Sequence, residues 1–160
     1  METCNFEKIN LNIFYRLYIL RSRAENTPME RFEKIYILTE MFTLGGAGYG
    51  ALEIGYRGET HWSMIVCGGV CFLILCAIAK MRKPVFVKCL LGGLAITGVE
   101  FLTGLIVNLG LGLDVWSYAD MPLNILGQVC PRYFVLWCFL CFPFMVILKG
   151  VRYGNKRKIF

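Results

Sequence analysis

Apolar residues fall along this chain in four long blocks separated by short polar stretches. A helix needs about 20 mostly apolar residues to cross the hydrocarbon core of a bilayer. The blocks at 35–56 (IYILTEMFTLGGAGYGALEIGY), 63–79 (SMIVCGGVCFLILCAIA), 85–109 (VFVKCLLGGLAITGVEFLTGLIVNL) and 133–148 (YFVLWCFLCFPFMVIL) come near that length. The pattern therefore predicts an all-α membrane protein, a four-transmembrane-helix bundle. Pro143 is expected to kink the fourth span. Upstream, INLNIFYRLYIL (9–20) is apolar but interrupted by Arg16 and too short to span. It reads as an N-terminal interfacial amphipathic helix with a snorkelling arginine, and a displaced fifth span is the alternative. It also lacks the small-residue cleavage site of a secretory signal. Between the third and fourth spans, LGLDVWSYADMPLNILGQVCPR (111–132) mixes aromatic, acidic and amide residues with an apolar patch. Such a loop can lie along the interface or dip back as a re-entrant element.

Charge then orients the blocks. The N-terminal arm, 1–34, carries six Lys/Arg; the segment 80–88 carries four; the tail beyond 148 carries five. Only Arg57 and Arg132 border the other two connections. The positive-inside rule puts both termini and the 80–88 loop in the cytoplasm, with 57–62 and 110–132 outside. An even number of spans agrees with that. The organisation expected is a cytoplasmic or interfacial arm (1–34), a membrane domain (35–149) and a basic tail (150–160), in the plasma membrane. The formal charge of +6 does not indicate nucleic acid, because the basic residues flank apolar blocks and line no polar face. Composition agrees with a membrane setting: 57% of residues are hydrophobic and 18% charged, against about a quarter charged in soluble domains.

Two acidic residues interrupt the apolar pattern. Glu53 lies in GGAGYGALE and Glu100 in GGLAITGVE, each at the same distance from a Gly-Gly pair. Gly46, Gly50, Glu53 and Arg57 share one helical face, as do Gly93, Thr97, Glu100 and Gly104. Gly46-x-x-x-Gly50 and Gly93-x-x-x-Thr97 are small-xxx-small patterns that let helices approach closely. Both glutamates should thus lie on packing faces, in the outer half of the bilayer, and the matched spans suggest a parallel repeat. A carboxylate at that depth is partnered or protonated, with Arg57, His61, Arg132, Thr103 and Asn108 as candidate partners. Were the two carboxylates to face each other, one would titrate well above the other. The competing reading is a structural lock between helices, with Glu53 pairing to Arg57 one turn away. Glu40, near the inner end of the first span, reads as interfacial.

The remaining chemistry is sparse. Of eight cysteines, most lie in apolar runs and read as small hydrophobes, so no disulfide framework is expected. Cys138-x-x-Cys141 has a redox spacing, yet sits in a span and reads as packing. The lone His61 with Cys67 and Cys71 makes no zinc ligand set, and no metal or cofactor is expected. Trp62 reads as an interfacial anchor. GxxxxGK[ST], GxSxG, HExxH and a fingerprint GxGxxG are all absent, so the chain carries no recognised catalytic or nucleotide-binding motif.

The stretches ALEIGYRGETHWSM and GVEFLTGLIVNLGLGLDVWSYADMPLNILGQVCP resemble the CmpB-like ABC-transporter type IV permease family, over about residues 40–148. The resemblance rests on Glu100, Gly104 and Asn108; on Trp116, Tyr118, Pro122, Asn124, Gly127 and Gln128; and on Glu53, Arg57, Gly58, Thr60 and His61. The chain departs from it at Ser117, where an aspartate would be expected. The resemblance implies a multi-span permease subunit, and any ATPase would be a separate chain. Together with the residue pattern it points to a substrate- or ion-binding cluster of Glu53, Arg57, His61, Glu100, Asn108, Trp116, Tyr118, Asn124 and Gln128. Gly46, Gly50, Gly93, Thr97 and Gly104 would pack the helices. Four spans enclose little volume, so a homodimer or a partner membrane subunit is expected. Two other readings stay open: a non-transport scaffold or lipid-binding component with structural glutamates, and an intramembrane enzyme acting on lipid or envelope precursors through Glu53 or Glu100.

Overall fold

The structure, a computed structural model, describes residues 28–156. The 9–20 segment lies outside them. The described residues form four long helices: α1 (Pro28–Arg57), α2 (Trp62–Ala79), α3 (Val85–Gly104) and α4 (Pro131–Lys156). A π-helical turn, Leu105–Gly110, continues α3. The described residues contain no strand, only a single antiparallel bridge, Ile125 to Val129, in the 111–130 loop. α1 begins seven residues before the predicted span, inside the stretch read as an arm, and α4 runs through Pro143 and past 149.

Three of these helical stretches are long and apolar enough to cross a membrane: Trp62–Ala79, Val85–Gly110 and Pro131–Leu148. α1 is the longest element but is more polar, because Glu40, Glu53 and its glycines dilute the aliphatic residues. By composition it does not join the other three, although the apolar pattern predicted it as a span.

Short connections make consecutive helices antiparallel neighbours. Gly58, at φ +82°, ends α1 in the left-handed conformation that glycine adopts without steric cost, and its N–H bonds to the Ile54 carbonyl at 2.8 Å. Lys88 reaches back to the Ala79 carbonyl at 2.7 Å, supplying a donor at the C-terminal end of α2. α1 packs along α2, α3 along α4, and α2 against α3.

Small residues set the helix distances. A Cβ on Gly68 would overlap the Tyr49 side chain and lie 3.0 Å from the Gly45 carbonyl oxygen; one on Gly46 would lie 2.6 Å from the Ile65 carbonyl oxygen. On α3, Gly92 faces Cys141 and Gly93 faces Cys138. The Gly45-Gly46 and Gly92-Gly93 pairs therefore each receive the helix that follows, α2 on α1 and α4 on α3. Gly104 meets the Gln128 side chain, while Gly50 makes only ordinary contacts with Ile65. The Thr97 hydroxyl is buried without a hydrogen-bond partner.

The interior is rich in sulfur. Cys67, Cys71, Leu75, Ile78, Cys89, Ile96, Cys141 and Met145 form the main cluster, and Ile37, Met41 and Cys76 a second one between α1 and α2. The described cysteines carry free thiols. Cys138 and Cys141 fill the space that Gly93 and Gly92 leave open, which is a packing role.

Gly68→Val should lower stability by about 1–3 kcal/mol, because the added methyls meet Tyr49 and the α1 backbone. Gly48→Ala, where a Cβ meets nothing, should leave it unchanged or slightly raised. Unfolding midpoints of the two variants in mild detergent check the contrast.

Candidate functional site

The polar side chains gather at one end of the bundle, where α1 stops, α2 starts, α3 loosens into the π turn and the 111–130 loop folds back. Tyr49, Glu53 and Arg57 follow one another at four-residue steps, so they form one stripe of α1. Glu53 is 8% exposed. Arg57 donates to its Oε1 at 3.0 Å, and the Thr60 hydroxyl, just past the end of α1, donates to Oε2. The same guanidinium donates through Nη2 to the Val115 carbonyl in the loop at 2.6 Å. A planar fork with several fixed donors suits this double role.

Glu100 is more deeply set, at 2% exposure. It accepts from the Tyr49 hydroxyl at 2.8 Å and from the Trp137 indole N–H at 2.7 Å. The two donor rings also stack, with centroids 5.7 Å apart. One carboxylate on α3 thus fastens α1 to α4. A buried carboxylate without partners costs several kcal/mol, and each glutamate has two donors here. Their donor sets are separate: Arg57 and Thr60 for Glu53, Tyr49 and Trp137 for Glu100. The matched positions on α1 and α3 therefore do unlike work.

Asn108 organises the loop from inside the π turn. Its Nδ2 donates to the Trp116 carbonyl at 2.9 Å and to Gln128 Oε1 at 2.7 Å, and its Oδ1 accepts from the Val115 N–H at 2.8 Å. Trp116 returns its indole N–H to the Gln128 carbonyl at 3.0 Å. Asn124 closes the far side. It donates to the Ala119 and Met121 carbonyls, at 3.1 and 2.9 Å, and accepts from the Gly127 N–H at 2.9 Å. This bonding holds a strained backbone. Asp114, Leu123 and Leu126 all have positive φ, as do Gly112 and Gly127, and each non-glycine costs roughly 1–2 kcal/mol there.

Tyr118 stacks on Tyr133 with centroids 4.5 Å apart, and the Tyr133 and Tyr56 hydroxyls are 3.3 Å apart. Burial, and after it the Glu100 charge, push the Tyr118 hydroxyl well above the ordinary tyrosine range. It remains neutral at any physiological pH and acts as a stacking group. At Ser117 the hydroxyl accepts from the Ala119 N–H at 3.3 Å. An aspartate there can make the same local turn, which gives the departure a simple account.

Not every candidate joins the cluster. His61 caps α2, its Nδ1 2.8 Å from the Ser63 hydroxyl and accepting from the Ser63 N–H at 3.4 Å, and its ring lies 5.3 Å from that of Trp62. Thr103 donates to its own helix at the Val99 carbonyl, Asn108 serves the loop, and Arg132 stands exposed at the start of α4. Of the candidate partners, Arg57 is the one bonded to a glutamate. Tyr49 and Trp137 were not anticipated. The four-residue spacing from Tyr49 to Glu53 was a readable signal for the first; for Trp137 the only signal was an indole N–H in an apolar run, which needs a buried acceptor. Among the described residues, no group of three His, Cys, Asp or Glu side chains is arranged to hold a metal ion.

Membrane-length apolar helices, packed around carboxylates paired within the chain, define a polytopic membrane protein. The family model described as "Putative ABC-transporter type IV" matches residues 58–156, more than half of the chain, and the chain belongs to that family. The match takes in Glu100, Asn108 and the whole 111–130 loop; Glu53 and Arg57 precede it. No curated protein and no solved structure was found to match.

Tyr49→Phe and Trp137→Phe each leave the Glu100 carboxylate one donor short. Each should cost about 1–3 kcal/mol of stability, and the double variant more than the sum. Thermal unfolding of the four proteins in detergent measures both the single losses and the coupling.

Proposed function

We propose that the chain is the membrane subunit of a transport system for a small solute, with the Glu53–Arg57–loop connection closing its outer side. The single observation that carries this reading is the placement of Arg57. One guanidinium holds a buried carboxylate on α1 and, at the same time, a backbone carbonyl of the loop that covers the helix ends. Breaking one pair would release the other, which is the behaviour of a gate. Family membership supports the class of protein, and Glu53 with Glu100 supplies the intramembrane charge that such sites use.

Packing supports a fourth span. α1 runs antiparallel along α2 from Ile37 and Met41, beside Cys76 and Phe72, to Gly46 beside Ile65. A helix so placed sits at the depth of its neighbour, and the Lys/Arg distribution then keeps both termini in the cytoplasm. Apolar side chains on its outer face, Leu38, Leu52 and Ile54 among them, suit contact with lipid. The bundle is narrow, so the working unit is a homodimer or a pairing with another membrane subunit, energised by an ATPase on a separate chain.

One observation favours a second reading, a scaffold without transport. Both carboxylates find their donors inside the chain, as a pure helix lock would require.

Two measurements separate the readings. Arg57→Met should speed amide hydrogen exchange at residues 113–118 by about tenfold or more, since the loop loses its tie to α1. In proteoliposomes holding the complete system, Glu53→Gln should reduce solute flux by about tenfold or more while the protein stays folded and its oligomer intact. A wild-type system that moves no solute, with Glu53→Gln altering stability alone, overturns transport in favour of the lock.

A further inference from the structure

The outer loop is built inside out. Its polar side chains, Asn124 and Gln128 with Asn108 beneath them, turn inward and bond backbone groups, and the indole of Trp116 is buried among them. Val129 is buried with them, but the leucines and the isoleucine turn outward: Leu111 is 59% exposed, Leu123 81%, Ile125 57% and Leu126 63%. Two of these, Leu123 and Leu126, are held outward by a left-handed backbone, at φ 57° and 52°. A loop bathed in water would gain by the opposite arrangement, with glycine or asparagine at such positions and leucine beneath.

We propose that the 111–130 loop is seated in the outer leaflet of the bilayer, with Leu123, Ile125 and Leu126 among the acyl chains just below the headgroups. Four features favour lipid over a protein partner. The patch is aliphatic, whereas protein interfaces concentrate tyrosine, tryptophan, methionine and arginine. The helix and π turn that lead into the loop expose apolar side chains as well, Leu102, Ile106 and Leu109. Tyr56 and Trp62, exposed at the ends of α1 and α2 on the same side of the bundle, are the residue types that mark the headgroup level. Finally, the loop's own charges are acidic, Asp114 and Asp120, and both stand exposed, as they would be on a headgroup-facing edge. The loop's buried polar groups mostly find partners within the protein, which membrane-depth backbone requires. This inference concerns where the loop lives and stands whether or not the chain moves a solute.

Single cysteines at Leu123, Ile125 and Leu126, with one at Asp120 for comparison, test the placement in the full chain. Each variant is reconstituted in phosphatidylethanolamine/phosphatidylglycerol vesicles and exposed to a membrane-impermeant maleimide, and labelling is read at the introduced position by peptide mass spectrometry, because the chain has eight cysteines of its own. Thiols react as thiolates, which do not form among acyl chains, so the three apolar positions should label at least about tenfold more slowly than Asp120→Cys. The same positions should also be protected at low protein-to-lipid ratio. Labelling as fast as Asp120→Cys overturns the proposal and places the loop in water. Protection that disappears as protein is diluted in lipid also overturns it, showing that a second copy covers the patch. Ile125→Cys keeps an ordinary backbone, so it reports even if Leu123→Cys or Leu126→Cys disturbs the turn.

Discussion

A polar group buried in a protein must find a partner there or cost several kcal/mol, and that constraint governs this structure. Every helix satisfies its own backbone, so the freedom left is in the side chains. Glu53 and Glu100 are tolerated because donors come to them from other parts of the chain: a residue past the end of α1, a tyrosine across the bundle, an indole on α4. The glycines follow from the same need. A hydrogen bond of 2.7–2.8 Å between side chains on different helices demands backbones close enough to deliver them, and Gly45, Gly68, Gly92 and Gly93 permit that approach.

The loop end of the bundle shows how one constraint propagates. Gly104 lacks a side chain, so Gln128 can settle against α3. Gln128 then accepts from Asn108 and Trp116, which fixes the loop's inner face. The π turn widens the helix at the point where Asn108 must bond the loop; such wide turns recur at functional sites. Left-handed backbone at Asp114, Leu123 and Leu126 is then sustained by the surrounding bonds. Arg57 connects this assembly to α1, the helix that precedes the family match.

Much of this was legible in the residues. Block lengths gave the helices, and period 3.6 put both glutamates on buried faces. Local pairing was also readable, since Glu53 and Arg57 lie one turn apart. Partners distant in sequence were harder to read. Trp137 lies 37 residues from Glu100, and no periodicity within α4 announces which neighbour its indole will face. His61 entered the candidate site through the resemblance and as a possible partner of the glutamates; its place just before α2 also makes it that helix's cap. α1 was read as a span from its apolar run, while its own composition falls short; what the structure adds is its packing along α2, which no single segment can report. Glycine faces were half visible: Gly46 and Gly93 fitted the small-residue pattern, but Gly68 and Gly69 matter because of the Tyr49 and Phe42 rings on α1 that press on them.

The unequal helix lengths carry one more consequence. α2 has 18 residues between a histidine cap and the lysines that follow, which at about 1.5 Å per residue is roughly 27 Å. α1, with 30 residues, can tilt or protrude, but α2 cannot stretch. A thicker bilayer must therefore pinch inward around α2, at a cost that rises with each ångström of mismatch. The shortest helix therefore sets the bilayer thickness that the chain matches at least cost.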